Sequence, residues 1–322
     1  MKIKQFQCVL AVVESGYSVT AAAERLFLSQ PAVSKQIKLF EETLGKPIFR
    51  RQSKQFVGLT EIGEAILPEL KRIMQSVEYL RSLAHNPYSG SAPTMTIATT
   101  NTLATYRLAP SLAAIRGTHP QLQLNVIEST NAQALQMVQE YEADYAWFSA
   151  TDLAPYATAM RGLMSVSGAP WSPVLVVPKD HEFNKRSFDH IGLLANYPLV
   201  TYVTSHKGLS GLASAMEKYG CHANVVLTAR NADLIKSYVR QGIGLGVIAD
   251  MAYDEVMDKD LVRYPLEEWM PVFNTYLVWQ TERHLRNHDY DFIATLMPSV
   301  DAKSVRAQIA QQRAQEEGMW TI

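Results

Sequence analysis

Two short runs of residues carry the chemistry of this chain. The first is Ser29, Gln30, Pro31 and Ala32, continued by Ser34, Lys35 and Lys38. Small and amide side chains near the start of a helix suit base edges in a major groove, and lysines on the same face suit phosphates. The second is Thr99, Thr100, Asn101 and Thr102. Hydroxyls and an amide of this kind hydrogen-bond an anion without adding charge.

The first run needs a scaffold, and residues 18–60 supply one. Ala21 to Leu26 are strong helix formers behind Ser18, a cap residue. Ser29 is a second cap, and Pro31 falls in the first turn of the next helix, where a missing N–H costs nothing. Val33, Ile37, Phe40 and Leu44 recur at helical spacing as one buried stripe, and Gly45 ends the helix. Ile48, Phe49, Phe56 and Val57 then flank Arg50, Arg51 and Lys54, the pattern of a basic two-stranded wing. The expectation is a winged helix-turn-helix that reads DNA through Ser29, Gln30, Pro31, Ala32, Ser34, Lys35, Lys38, Arg50, Arg51 and Lys54. The competing reading is a helical hairpin with a solvated charged face. Charge weighs against it: residues 1–60 hold nine Lys and Arg against four Glu, a net +5, while the whole chain is −1 and the rest therefore −6. A basic head on an acidic body fits nucleic-acid binding by the head.

The second run sits where strand MTIAT feeds a helix beginning near Leu103. A strand end at a helix N-terminus presents free N–H groups and a positive dipole end. Routine helix capping is the competing reading for Thr and Asn at this position.

Between these runs Ile66, Leu70, Ile73, Val77, Leu80 and Ala84 form a heptad seam on a helix over 60–86, with Pro68 near its start. A dimerisation helix is expected, with packing onto its own chain as the alternative. NPYSGSAPT, residues 86–94, is turn-rich and marks a boundary. Beyond it MTIAT, LQLNVIE, DYAWFS, PVLVVP, PLVTY, ANVVLTA, LGVIA and NTYLVWQ read as strands. LAPSLAAIRGTHP, NAQALQMVQEYE, GLSGLASAMEKYG and ADLIKSYVRQG read as helices. The alternation predicts parallel sheets covered by helices.

Composition sets the outer bounds. A chain of 322 residues with 47% hydrophobic content can bury two or three domain cores. No membrane span is expected, and MKIKQFQCVLAVVESG reads as a first helix, not a signal peptide. Cys8 and Cys221 are too few for a disulfide framework and read as free thiols of a cytoplasmic protein. The eight histidines do not cluster, and His284 and His288 lack a third ligand, so no metal site is expected. No nucleophile elbow or catalytic Cys–His arrangement appears, which argues against an enzyme, with no catalytic residues and no cofactor. GIGLG, residues 242–246, follows a helix and precedes a strand, the reverse of a dinucleotide loop. It reads as a helix C-cap and a tight strand entry. The C-terminal run VRAQIAQQRAQEEGMW is a polar helix of no evident role.

AAAERLFLSQPAVSKQIKLFEETLGKPIFRR, with LTEIGEAIL after it, resembles the N-terminal domain of LysR-type transcriptional regulators, and the resemblance runs the full length. TIATTNTLATY, YPLVTY and ADLIKSYVRQGIGLGVIADMA resemble its CysB-like subgroup, which governs sulfur assimilation. The resemblance implies a winged helix-turn-helix over 1–59 and a linker and dimerisation helix over 60–87. It then implies an α/β effector-binding domain over 88–322, of the periplasmic-binding-protein-like type 2. Subdomain I would cover about 93–170 and 274–322, and subdomain II about 171–273, with crossings near Trp171 and Phe273. A small anionic effector would lie between them, at Thr100 and Thr102, with Thr201, Tyr202 and Ser149 as further contacts. Ala232 and Asp233 would open a helix at the cleft mouth.

The subgroup pattern is close to TTHTQARY, and this chain has TTNTLATY. Asn101, Leu103 and Thr105 replace a histidine, a glutamine and an arginine. An apolar Leu103 in the binding set would weaken or reshape an inorganic-anion site, which makes a less polar organic acid the alternative to a sulfur-related effector. His206 and Lys207 fall near the second wall, where they would supply positive charge or simply belong to a solvated loop. The expected partners are double-stranded promoter DNA, the effector, RNA polymerase and a second copy of the chain in a homodimer or homotetramer. A small-molecule binding protein without promoter function is the remote alternative.

Overall fold

The structure, a computed structural model, describes residues 1–53, 55–83, 93–203, 211–298, 305 and 307. Lys54, Ala84, all but the end of the 86–94 segment, His206, Lys207 and the C-terminal run apart from Val305 and Ala307 lie outside the described residues. The chain divides into two compact units that part between Ser91 and Ala92, with Gln139–Tyr141 grouped with the first.

The first unit is α1 (Ile3–Glu14), α2 (Val19–Arg25), α3 (Gln30–Leu44), the hairpin β1 (Phe49–Gln52) and β2 (Gln55–Leu59), and α4 (Glu61–Leu83). Phe6, Cys8, Val9 and Val12 of α1 join Val33, Ile37 and Phe40 of α3 in one core. Ser18 caps α2 by accepting the Ala21 amide. Gly45 ends α3 at φ +70°, a left-handed turn that suits glycine. The seam on α4 is divided. Leu70 is buried and Ile66, Leu67 and Met74 pack on this unit's own core, whereas Ile73 and Leu80 are exposed. Own-chain packing therefore takes the N-terminal half of the seam.

The second unit holds two five-stranded sheets. The first has the order β4-β3-β5-β12-β6, with β3 (Thr94–Thr99), β4 (Gln123–Glu128), β5 (Tyr145–Ala150), β6 (Leu163–Ser167) and β12 (Asn274–Gln280). The second has the order β11-β7-β10-β8-β9, with β7 (Pro173–Pro178), β8 (Leu199–Tyr202), β9 (Val225–Ala229), β10 (Leu245–Ala249) and β11 (Leu261–Pro265). Period-two alternation covers both faces of each sheet. In the first, Tyr145, Trp147, Leu277 and Trp279 meet α6 (Ala109–Thr118) and α10 (Asn287–Leu296). Ala146, Phe148 and Val278 face α7 (Asn131–Gln139) instead. In the second, Leu199 and Val247 lie with α8 (Leu212–Glu217), and Val200 and Ile248 with α9 (Ala232–Arg240). Full burial of side chains such as Leu277 or Phe292 contributes about 1.5–3 kcal/mol each.

The parallel sheets expected from the alternation are in fact mixed. β3 runs parallel to β4 and β5, and β8 to β9 and β10, but β12 is antiparallel to β5 and β6, and β7 to β10 and β11. β12 enters after the chain has crossed to the second sheet and back, which reverses its direction. The two crossings lie side by side. Trp171 and Phe273 exchange backbone hydrogen bonds of 2.8 and 2.9 Å, and their rings stack at 4.5 Å. Gly242, at φ +73°, caps α9, and a Cβ on Gly244 would lie 2.5 Å from the Pro198 carbonyl oxygen. The glycine run is a helix cap and a close strand entry.

Candidate functional site

In the first unit, Ser29 stands at the N-cap of α3 yet makes no side-chain cap bond, so its hydroxyl is not spent on the helix. Ser29, Gln30, Pro31, Ser34, Lys35 and Lys38 are exposed on one face, with Ala32 half-buried among them. The wing brings Arg50 and Arg51 up beside this helix through a residue that spacing alone did not single out. Glu41, on the buried side of α3, accepts the Ile48 and Phe49 amides at 3.0 and 3.3 Å through Oε1. Its Oε2 accepts from Arg51 Nη2 at 2.5 Å. Arg51 also lies over the Phe56 ring at 4.9 Å. Arg50 is exposed, whereas the charge of Arg51 is already matched. The signal for Glu41 in the sequence is only its place in the helix: it follows Phe40 and falls one turn after Ile37, on the edge of the apolar stripe.

In the second unit the geometry converges on two strand ends. β3 lies between β4 and β5, and the helices leaving these strands cover opposite faces of the sheet. β8 lies likewise between β9 and β10, with α8 and α9 on opposite faces. Connections that leave a central strand in opposite directions open a crevice at its carboxyl end, where α/β sheets bind ligands. Thr100 to Thr102 follow β3, and Thr201 and Tyr202 end β8.

These two ends touch. The Thr102 side chain comes close to the Tyr202 hydroxyl, which accepts the Ala249 amide at 3.2 Å. Burial pushes the Tyr202 pKa up to about 12, so it is a neutral hydroxyl at any physiological pH. Thr100 takes the N-cap position before α5 (Asn101–Leu103) with no side-chain cap bond. Helix capping therefore does not account for its hydroxyl. Ala104–Leu108 then winds as one π turn leading into α6, a local widening often found at functional sites. Tyr106, on that turn, donates to Asp233 of α9 at 2.8 Å, a second link between the two sheets' elements. Burial and the Asp233 carboxylate raise the Tyr106 pKa far above its ordinary value. Arg107 donates to the carbonyls of Ala169 and Pro170 at 3.1 and 3.2 Å, on the crossing segment just before Trp171.

The other expected contacts fall out differently. Ser149 Oγ accepts the Trp171 indole N–H at 2.9 Å, at the crossing. Thr201 is fully buried and its hydroxyl donates to the Val247 carbonyl at 3.4 Å within its own sheet. Asn101 donates to Glu128 at 3.1 Å. Leu103 is 1% exposed and packs in the core with Ile97, Ile115 and Trp279, so its side chain serves the packing of the first sheet.

Sequence reasoning also missed the cluster behind Asp233. Lys236, 7% exposed, donates to Asp258 at 2.9 Å and to the Ala252 carbonyl at 2.8 Å, and lies 3.4 Å from Asp233. Arg240 pairs with Asp258 and Asp260. Burial alone would raise the Asp258 pKa, but the Asp254 amide, Lys236 and Arg240 together hold it below the usual carboxylate range. Helical spacing from Asp233 to Lys236 and Arg240 was the available signal. Among the described residues no three His, Cys, Asp or Glu side chains group as a metal set, and no helix is long and apolar enough to cross a membrane.

Comparison with known proteins bears on both sites. Residues 3–64 match the family described as bacterial regulatory helix-turn-helix protein, lysR family, and residues 89–300 match the LysR substrate binding domain. The chain is 32% identical over 305 residues to the HTH-type transcriptional regulator CysB of Burkholderia cenocepacia, covering 95% of this chain and 96% of that one. Among solved structures, the cofactor-binding domain of the Cbl transcriptional regulator superposes with a TM-score of 0.60 at 27% identity, over 70% of this chain and 96% of that one. A full-length OxyR variant from Pseudomonas aeruginosa superposes with a TM-score of 0.68 at 19% identity, over 95% of this chain and 98% of that one.

Proposed function

The chain belongs to the LysR family of bacterial transcriptional regulators, and on that premise we propose that a small anionic metabolite held between its two α/β sheets sets how it engages promoter DNA. It is a DNA-binding regulator and not an enzyme. Its likeness to CysB supports a role in sulfur-related gene control. The observation that carries the effector reading is the 2.8 Å hydrogen bond from Tyr106, just beyond β3, to Asp233 of α9, beside which Thr102 comes close to Tyr202 at the end of β8. A ligand seated between those strand ends competes for groups that now face each other. Binding then favours one arrangement of the two sheets over another, and that shift is the signal passed to DNA.

The effector we favour is bound through hydroxyls and backbone amides. Of the described cations near the cleft, Arg107 is committed to Ala169 and Pro170 and Lys236 to Asp258. That favours an organic acid over a bare inorganic anion. The contacts proposed are Thr100, Asn101, Thr102, Ser149, Thr201 and Tyr202. The exposed half of the α4 seam, Ile73 and Leu80, is proposed to pair with a second copy in a homodimer or homotetramer. A cytoplasmic location and RNA polymerase as a further partner follow from the same reading.

The test is a thermal-shift screen of the full chain, setting sulfate, thiosulfate and acylserines against less polar organic acids. The expected result is a rise in Tm with at least one acid, lost in Thr102→Ala and reduced in Tyr202→Phe. If the stabilising compounds act equally on both variants, the cleft is not their site.

A further inference from the structure

Phe27 is placed at odds with its own fold. It is 96% exposed, and it adopts φ 53° in the turn between α2 and α3. Its amide donates to the Glu24 carbonyl, and the next amide, of Leu28, reaches back to Ala23. That is the left-handed helix stop in which a Cβ crowds the carbonyl and glycine is usual. The chain does use glycine for the same purpose at Gly45 and Gly242. At residue 27 it instead carries a phenyl ring that packs on nothing and gains nothing from burial.

The ring's neighbours supply a reason. Ser29, whose hydroxyl makes no cap bond, is two residues on, within about 7 Å along the chain. Gln30, Ser34 and Lys35 continue the exposed face, in a segment of net charge +5. Phe27 is thus continuous with the surface that meets DNA, at the end of α3 that enters the groove first. An aromatic ring there has one base feature to recognise, the C5-methyl of thymine, which projects into the major groove.

We propose that Phe27 contacts a thymine methyl at the edge of each half-site and so adds an apolar element of base selection to the polar face of α3. The proposal rests on the DNA-reading role of that face. Its cost to the fold is the left-handed backbone, so removal of the ring separates stability from recognition.

The experiment uses the full-length protein. Duplexes are selected from a random library by the wild type, and each thymine of the selected site is then replaced singly by deoxyuridine, which lacks only the methyl group. One or two positions are expected to weaken wild-type binding by roughly 3–10-fold. Phe27→Gly is expected to keep or raise Tm, to lose about the same factor on the thymine duplex, and to be indifferent to deoxyuridine at those positions. Phe27→Leu should retain part of the effect. Wild-type affinity in Phe27→Gly would overturn the proposal and leave this ring to another partner. A loss in Phe27→Gly that adds to every deoxyuridine effect would also overturn it, placing the ring on the sugar–phosphate backbone. Failure of the wild type to select any duplex would overturn the reading of the α3 face itself.

Discussion

At the start of α3 the polar side chains face outward, and Ser29 does not even complete its cap. In the cleft the equivalent groups are turned on each other: Thr102 to Tyr202, Tyr106 to Asp233, Ser149 to Trp171. The difference matches what the two proposed roles would require. A surface that reads a rigid duplex needs groups fixed and available before contact. A cleft that reports a ligand needs groups whose present partners the ligand replaces. The same contrast reaches two acids, one buried and one exposed. Glu41 holds α3 to the wing and so fixes the reading surface. Asp233 ties an element of one sheet to an element of the other and is 65% exposed in its side chain, where a ligand or solvent reaches it.

The largest expected effect tests the fixed half of this comparison. Glu41→Ala leaves two buried amides and Arg51 without their partner, and should destabilise the first unit by about 3–5 kcal/mol. Denaturant unfolding of the full chain would show one transition moving to lower denaturant while the other stays. If both transitions move together, the two regions are not independently built.

The effector body should have an acid sensitivity of its own. Burial depresses the His288 pKa from 6.5 to about 4, against the opposing pull of Asp289. The unfolded chain therefore binds this proton first, and the contribution of neutral His288 is complete above pH ~6.5 and lost as pH falls through about 4. The loss should be roughly 2–3 kcal/mol over that window. His288→Asn should flatten the dependence of unfolding on pH between 7 and 4. An unchanged profile in that variant would assign the acid sensitivity to another group.

How far the sequence foretold these regions depends on whether local pattern or tertiary closure decides a residue's role. The recognition helix was legible because caps, proline, apolar stripe and terminal glycine all lie within twenty residues and agree. The strand ends were legible for the same reason, since each is a short apolar run meeting a helix start. β6 and β11 were not read: both are five-residue edge strands broken by polar residues, such as Ser165 and Arg263, that an edge tolerates. Leu103 was placed in the binding set because it stands where the resembled pattern has a glutamine, yet its side chain packs in the core, which no pattern of neighbours foretells. Glu41, Tyr106 and Arg107 act through partners up to 127 residues away, and nothing local encodes such a pairing.

A smaller effect tests the reversible half. Tyr106→Phe and Asp233→Ala each remove one side of the same hydrogen bond, so their costs should not add. A coupling of about 1 kcal/mol is expected from the double-mutant cycle read by thermal unfolding. Simple additivity would mean that the two groups do not hold each other in solution, and the cleft would then resemble the reading face.

The last effect separates two adjacent arginines. Arg50 is exposed, whereas Arg51 already neutralises Glu41 and lies over Phe56. A cation that is free before binding displaces counterions from a phosphate, and each such contact steepens the salt dependence of DNA binding by roughly 0.9 in the log–log slope. Arg50→Ala should therefore flatten the slope by about that amount and weaken binding about equally on all sequences. Arg51→Ala should leave the slope nearly unchanged and instead lower stability by about 1–2 kcal/mol, since Glu41 loses a charged partner but keeps two amides. Both outcomes come from one salt titration and one unfolding curve per variant. An equal loss of slope in the two variants would mean that Arg51 leaves Glu41 for phosphate on binding. The wing would then exchange internal partners for external ones, as the cleft is proposed to do.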